Sequence, residues 1–215
     1  MEQRNQPFFS IIITAYNRAN LLKRAINSLL TQTESDWEAV IVNDGSTDKT
    51  EVIARDFSSK YQNIKTFFQI NHGAGFSKNF GISKSSGKYI TFLDSDDEYK
   101  SEHLFLLKRY LINNPDIDFL HGTAEIIGNT NVPDFNNPGQ IIHLDNCIIG
   151  GTFVFKKAIL EKTNGYPILR FGDDVSFYNL VFNLNMKIAK VDFKTYIYHR
   201  DNDDSVCNII LKIER

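Results

Sequence analysis

Cysteine, tryptophan, methionine and proline are all scarce in this chain. Its 215 residues include 2 Cys, 1 Trp, 2 Met and 5 Pro. Two cysteines, Cys147 and Cys207, provide neither a disulfide framework nor a cysteine-rich metal centre. Neither sign of charge dominates: 24 Lys and Arg against 26 Asp and Glu leave a formal charge of −2. That balance gives no basic footprint for a nucleic-acid partner. No apolar run approaches the roughly 18 residues of a membrane span, and Met1-Glu2-Gln3-Arg4-Asn5 lacks the apolar centre of a secretory signal. Internal repeats, low-complexity tracts and Pro/Gly-rich linkers are also missing. The apolar fraction, 42%, is ordinary for a globular domain and excludes collagen-like, coiled-coil and disordered classes. The expectation is one domain, residues 1–215, in a reducing, cytoplasmic compartment.

The first hundred residues alternate between two periods. Phe8 to Thr14 and Ala39 to Val42 are apolar, β-branched runs without alternation, the pattern of strands buried on both faces. Between them Leu21, Leu22, Ala25, Ile26, Leu29 and Leu30 form a helical stripe, with Asn17 or Asn20 as its cap. Ser46 or Thr47 is expected to cap a second helix with Asp48 in its first turn. Ile64 to Ile70 is a third strand, a helix carrying Phe76 and Phe80 follows Gly73/Gly75, and Tyr89 to Leu93 is a fourth strand. A β-α-β-α-β-α-β order predicts a mostly parallel α/β sheet flanked by helices. The second half is less regular. A helix through Leu104, Leu107 and Leu111 stops at Pro115, and Ile117 to Ile127 reads as a strand. Asn129 to Gly139 reads as a loop and Thr152 to Phe155 as a short strand. Phe177, Val181 and Leu184 stripe a last helix, and Ile188–Val191 and Thr195–Tyr198 read as two short strands. Residues 8–98 are assigned to a nucleotide half and 99–215 to a smaller acceptor half.

Ligands of parallel sheets bind beyond the carboxyl ends of the strands, and three polar clusters fall there: Thr14-Ala15-Tyr16-Asn17, Asn43-Asp44 and Asp94-Ser95-Asp96. Asp94 and Asp96 suit an oxygen-liganded Mg²⁺ or Mn²⁺ completed by a diphosphate, or else form a solvated acidic turn. The Asp44 carboxylate can accept the imide N–H of a uracil, or make an Asx turn. Tyr16 is placed against a base, with Thr14 and Ala15 offering backbone groups, or is a half-buried loop aromatic. Gly75 and Lys78 open a helix and suit a phosphate or ribose; the third glycine of a dinucleotide fingerprint is replaced by Lys78, so that motif fails. Asp173 and Asp174 are either helix-dipole partners or hold a general base. His199 is a metal ligand through neutral imidazole or a structural histidine. His72, His103, His121 and His143 have no partner pattern.

Taken in order, Ser10-Ile-Ile-Ile-Thr-Ala-Tyr-Asn17, Ser28-Leu-Leu-Thr-Gln-Thr33, Val42-Asn-Asp-Gly-Ser-Thr-Asp48 and Tyr89-Ile-Thr-Phe-Leu-Asp-Ser-Asp-Asp97 resemble the family 2 glycosyltransferases. The resemblance runs from about Phe8 to Ser205. It implies a GT-A fold and metal-dependent, inverting transfer from a nucleotide-sugar, usually a UDP-sugar, to a saccharide or lipid-linked glycan acceptor in cell-surface polysaccharide synthesis. By position it implies that Thr14, Ala15, Tyr16 and Asn17 hold the nucleotide and that Asp44 reads the base. Asp94, Ser95 and Asp96 match the D-x-D motif, with Asp96 as the direct metal ligand. Gly151 and Thr152 match the acceptor floor. Gly172-Asp173-Asp174 matches the acidic motif whose second residue is the base, here Asp174. His199, Arg200 and Ser205 match the C-terminal loop that closes over the diphosphate and can ligate metal. Asn43 replaces the usual acid before Asp44, Lys78 replaces the usual arginine and Asp173 the usual glutamate. The location implied is the cytoplasm, at the inner membrane face where a peripheral contact with lipid is compatible. Many relatives continue past the closing loop.

Two other functions share parts of this pattern. A nucleotidyltransferase needs a basic, Gly-rich triphosphate loop after the first strand, which Thr14-Ala-Tyr-Asn-Arg18 does not supply. A non-catalytic nucleotide- or carbohydrate-binding module has no use for a base, and Asp174 is present.

Overall fold

The computed structural model describes residues 6–137 and 139–201. It begins with β1 (Phe9–Ala15), α1 (Ala19–Leu30), β2 (Trp37–Asp44), α2 (Thr50–Lys60), β3 (Ile64–Gln69), α3 (Ala74–Lys84) and β4 (Tyr89–Phe92). It continues with β5 (Glu98–Tyr99), α4 (His103–Asn113), β6 (Phe119–Gly128), β7 (Asn131–Pro133) and β8 (Ile141–His143). The last elements are β9 (Val154–Lys156), α5 (Ile159–Thr163), α6 (Asp173–Asn183) and β10 (Ile188–Arg200).

The main sheet runs β3-β2-β1-β4-β9-β6-β10-β5 among the described residues. Its first four strands are mutually parallel, β10 is parallel to β6, β9 is antiparallel to both β4 and β6, and β5 is antiparallel to β10. Alternation along β1 and β2 explains why these strands are apolar throughout. Ile11, Ile13, Ala39 and Ile41 enter one core with Leu22, Ala25, Ile26 and Leu29 of α1 and Ala54 and Phe57 of α2. Ile12, Val40 and Val42 enter the opposite core with Ile82 of α3 and Phe177 and Val181 of α6. Successive side chains of a strand point to opposite faces, so a sheet covered on both sides has no solvent-facing row to make polar.

From β1 the chain steps outward to β2 and β3, then returns to the other side of β1 as β4. The order therefore reverses between β1 and β4, and an open α/β sheet has its ligand crevice at such a switch point, beyond the carboxyl ends. At the opposite end of these strands a buried carboxylate ties the layers together. Glu38 accepts from Ser10 Oγ (2.7 Å), from Ser86 Oγ (2.8 Å) and from the Ser86 N–H, and pairs with Lys65 at 2.6 Å. Burial opposes its ionisation, but Lys65 and the serine donors prevail and hold the carboxyl below its usual range.

The second half departs from the sequence expectations in specific places. Part of the segment expected as a loop pairs as a hairpin, β7 with β8, in which Val132 is buried. Three-residue strands rich in Asn and Pro have no periodicity to detect. The two expected C-terminal strands are one strand, β10. Val191 pairs with Gly122 and Tyr196 with Ala124, so four residues of β10, 192–195, stand opposite the single Thr123 of β6. This bulge includes Lys194 at φ +47°. Leu184 follows α6 instead of striping it. The caps also differ. Arg18 and Lys49 occupy the cap positions of α1 and α2 without side-chain cap bonds. Asp48 serves both helix starts, accepting from Thr50 N–H at 2.9 Å and Ala19 N–H at 3.1 Å. No helix among the described residues is long and apolar enough to cross a membrane.

Candidate active site

The loops after β1 and β2 are cross-linked. Asn17, at φ +52°, accepts from Thr47 N–H at 2.9 Å, and its own N–H donates to Ser46 Oγ at 2.9 Å. Thr14 is half-buried, Ala15 is buried and Tyr16 is 48% exposed at the lip of the crevice. Tyr16 is thus an open aromatic face beside the nucleotide-side strand ends, while Asn17 sets the loop conformation.

Asp44 ends β2 and is buried. Its Oδ1 accepts from Gln69 Nε2 (2.7 Å) and His72 N–H (2.9 Å), and its Oδ2 accepts from Gly73 N–H (2.8 Å). The carboxylate therefore closes the β3–α3 connection and satisfies one of the unpaired donors at the start of α3, a structural job sequence reasoning did not assign. Gly75 is buried in the first turn of α3. A Cβ there would stand 2.8 Å from Pro167 O and 2.9 Å from Ile168 Cα, so the absent side chain lets α3 approach the segment before α6.

Lys78 does not reach into solvent. Its Nζ pairs with Asp173 at 2.9 Å, lies 3.5 Å from the Tyr166 hydroxyl, and sits 4.9 Å and 5.2 Å from the ring centres of Tyr166 and Phe92. Burial works against this ammonium, but Tyr166, Asp173 and Asp94 more than offset it and hold its pKa well above the usual lysine value. The lysine expected at a phosphate or ribose is paired with Asp173 in this structure.

The D-x-D turn follows β4 on the other side of the switch point. Ser95 is buried, and Asp94 and Asp96 are partly exposed. Burial lifts the Asp94 carboxyl above its normal range; Lys78 opposes this and Asp173 adds to it. Asp97, which sequence reasoning treated only as one more acid of the cluster, is 1% exposed. It accepts from the Tyr196 hydroxyl at 2.6 Å and from His199 N–H at 2.8 Å. Burial, with Asp94 and Asp96 close by, raises its pKa well above the carboxylate range. The Arg24 guanidinium donates to the Asp96 carbonyl and lies 3.4 Å from Glu98.

The side of the crevice expected to take the acceptor comprises the 3₁₀ turn Gly150–Thr152 and the start of α6. Asp174 accepts from Gly150 N–H at 3.2 Å and from Val175 N–H at 2.8 Å. Burial, then the neighbouring Asp173, raise its pKa to about 6. Thr152 is committed to the fold: its hydroxyl accepts from Gly122 N–H at 3.1 Å and contacts Ile149 O at 2.7 Å. Gly151 makes room for Tyr196, since a Cβ there would lie 2.2 Å from the Tyr196 hydroxyl.

His199 and Arg200 end β10 and are buried. His199 Nε2 is 2.8 Å from Glu98 Oε1, and Nδ1 is 3.4 Å from Asp201 with no hydrogen-bond partner. A carboxylate on one ring nitrogen is the arrangement that orients an imidazole for a metal on the other. Arg200 donates to Asn131 O at 3.2 Å, so it anchors the β7–β8 hairpin. Ser205 lies outside the described residues. No three His, Cys, Asp or Glu side chains among the described residues form a ready-made ion site. The donor set still fits a divalent cation in two respects. Burial, with Asp94 and Asp96 close by, raises the Asp97 pKa, and His199 Nδ1 has no hydrogen-bond partner among the described residues. Both suit an ion whose shell is completed by substrate oxygens.

An open α/β sheet with an acidic turn at its switch point and a second acid pair across the crevice defines the GT-A class of transferase folds. The match to known proteins agrees: the model of glycosyl transferase family 2 covers residues 10–163, and the chain belongs to that family. An uncharacterized glycosyltransferase of Rickettsia typhi is 45% identical over 221 residues, covering 95% of this chain and 67% of the relative. Escherichia coli WfgD, a UDP-Glc:alpha-D-GlcNAc-diphosphoundecaprenol beta-1,3-glucosyltransferase, is 28% identical over 210 residues, covering 96% of this chain and 82% of WfgD. Staphylococcus aureus TarS 1-349 in complex with UDP-GlcNAc superposes with a TM-score of 0.77 at 25% identity, over 92% of this chain and 60% of TarS. The chain spans between 28% and 67% of the length of three of the curated relatives it matches.

Proposed function

We propose that this chain transfers a sugar from a nucleotide-sugar, a UDP-sugar in the first instance, to a hydroxyl of a saccharide or lipid-linked glycan acceptor, with inversion at the anomeric carbon. The observation that carries the proposal is Asp174. It is a half-buried carboxylate whose hydrogen bonds among the described residues come from backbone donors, with a pKa of about 6, at the acceptor side of the crevice. At neutral pH it is ionised yet basic enough to take a hydroxyl proton, a combination worth roughly 10²–10⁴ in rate. The acceptor oxygen forms its bond to the anomeric carbon as the bond to the diphosphate breaks. The proton passes to Asp174, and the electron pair leaves with the nucleoside diphosphate.

The chain's own groups divide the remaining work. Tyr16 offers an exposed ring to the base and Asp44 a lone pair to its imide N–H. Lys78 pairs with Asp173, and burial together with the neighbouring Asp173 holds the base above the ordinary carboxylate range. Asp94, Asp96 and His199 Nδ1 are the atoms proposed to hold Mn²⁺ or Mg²⁺. When bound, such an ion neutralises charge developing on the leaving diphosphate. Ile168 and Leu169 are exposed on the segment leading to Asp173 and Asp174, which favours an acceptor with an apolar part. A role in cell-surface polysaccharide synthesis, in the cytoplasm at the membrane, goes with this acceptor class.

The test is a thermal-shift screen of nucleotides and nucleotide-sugars with and without Mn²⁺. A UDP-selective, Mn²⁺-dependent rise in Tm is the expected outcome. The absence of any shift across all nucleotides overturns the proposal.

A further inference from the structure

Tyr196 is the second residue of the site that the sequence hid. The bulge of β10 brings it inward, and it is 1% exposed. Its hydroxyl donates to Asp97 Oδ2 at 2.6 Å, stands 3.4 Å from the Asp94 N–H, and fills the space that Gly151 leaves open. The other Asp97 oxygen takes the His199 N–H at 2.8 Å, and Asp97 N–H donates to Asp94 O at 3.0 Å. One buried phenol and one buried carboxylate thus join three parts of the site: the D-x-D turn, the strand end that carries His199, and the 3₁₀ turn beside Asp174. Tyr196 and Asp97 are both buried, and a second, more exposed connection between the turn and the strand end runs from His199 through Glu98 and Arg24 to the Asp96 carbonyl.

We propose that Tyr196 and Asp97 are positioning residues for the nucleotide-diphosphate site, fixing Asp94 and Asp96 relative to His199. The proposal rests on the donor-binding reading above. Its structural alternative is that the pair only fills and stabilises the core. Tyr99 supplies a matched control. It is equally buried, its hydroxyl donates to Phe92 O at 2.7 Å and contacts Thr91 at 3.2 Å, and its ring packs 5.6 Å from that of Tyr196. Its hydroxyl's hydrogen bonds among the described residues go to Phe92 O and Thr91, and none goes to the D-x-D acids or the His199 backbone.

The experiment is titration of UDP, in excess MnCl₂, into the wild-type chain and into Tyr196→Phe, Asp97→Asn and Tyr99→Phe, with the half-saturating Mn²⁺ concentration and Tm measured alongside. Loss of one buried hydrogen bond corresponds to about a tenfold effect. Tyr196→Phe and Asp97→Asn are expected to weaken UDP binding and raise the Mn²⁺ requirement by about that factor. Tyr99→Phe is expected to lower Tm and leave both binding constants at the wild-type value. Should Tyr196→Phe not fold, Asp97→Asn carries the same expectation. If both variants bind UDP as tightly as wild type, or if Tyr99→Phe weakens it equally, the positioning role is overturned. A wild-type chain that binds no UDP overturns the donor reading itself, and the latch with it.

Discussion

The crevice has two sets of carboxylates, half-buried except for the buried Asp97, and their partners differ. On the acceptor side Asp173 has its own cation, Lys78, at 2.9 Å, and Asp174 is left with two backbone N–H donors. On the donor side Asp94, Asp96 and Asp97 crowd one turn. Asp97 is tied off by Tyr196 and His199 N–H, while burial keeps the Asp94 carboxyl raised despite Lys78. Under the proposed function, carboxylates crowded on one turn suit a further cation that arrives with the ligand. Under the proposed function, the acid beside the lysine-paired Asp173 is the one that takes the proton. The same residue type therefore serves two purposes, separated by which cation lies within reach.

The largest effect expected from breaking this division is at Asp174. Asp174→Asn should lower kcat by about 10²–10⁴, read in a sugar-transfer assay. The same substitution should stabilise the fold near pH 7. With the folded pKa of Asp174 raised to about 6, ionisation of this group opposes folding as pH rises from its ordinary range through 6. Removing it gains roughly 2–4 °C in Tm per kcal/mol relieved, and the gain should vanish at pH values where the wild-type acid is protonated.

Lys78→Met should come next. It leaves Asp173 buried beside Asp174 without its cation, and Lys78 is one of the influences that lower the Asp174 pKa. The rising limb of the pH–kcat/KM profile, expected near pH 6 in the wild type, should move to higher pH by about one unit. A limb that stays in place would mean that the two acceptor acids are not coupled through this lysine.

How much of this was legible in the residues follows from the range of the interactions. The parallel half reads directly, because β1, β2 and β4 bury both faces and show as uninterrupted apolar runs. The strand-end positions of Asp44 and of the D-x-D turn followed from that pattern. The latch did not, because Tyr196 and Asp97 are 99 residues apart and a bulge brings them together. Asp44 was found, but the three groups that occupy its oxygens come from the end of β3 and the loop after it, which no local pattern specifies. Gly151 reads as part of a floor by resemblance alone, while the physical reason for a glycine there, room for Tyr196, requires the fold.

The smallest effect on catalysis should come from the far end of the sheet. Glu38→Ala removes a buried carboxylate that joins β1, β2 and the α3–β4 connection and leaves Lys65 unpaired. A stability loss of about 1–3 kcal/mol is expected in urea unfolding at pH 7, with kcat per folded molecule unchanged. Because the folded pKa of Glu38 is depressed, its stabilisation is full above the ordinary glutamate range and is lost as pH falls through the folded pKa. The difference between wild type and variant should therefore shrink in acid.

The division of the two acid sets is tested most directly by UDP affinity in Mn²⁺, measured by calorimetry on Asp174→Asn and Asp94→Asn. Asp174→Asn should bind UDP as the wild type does, while Asp94→Asn should lose at least about tenfold in affinity. Equal loss in both variants, or loss in Asp174→Asn alone, would contradict it.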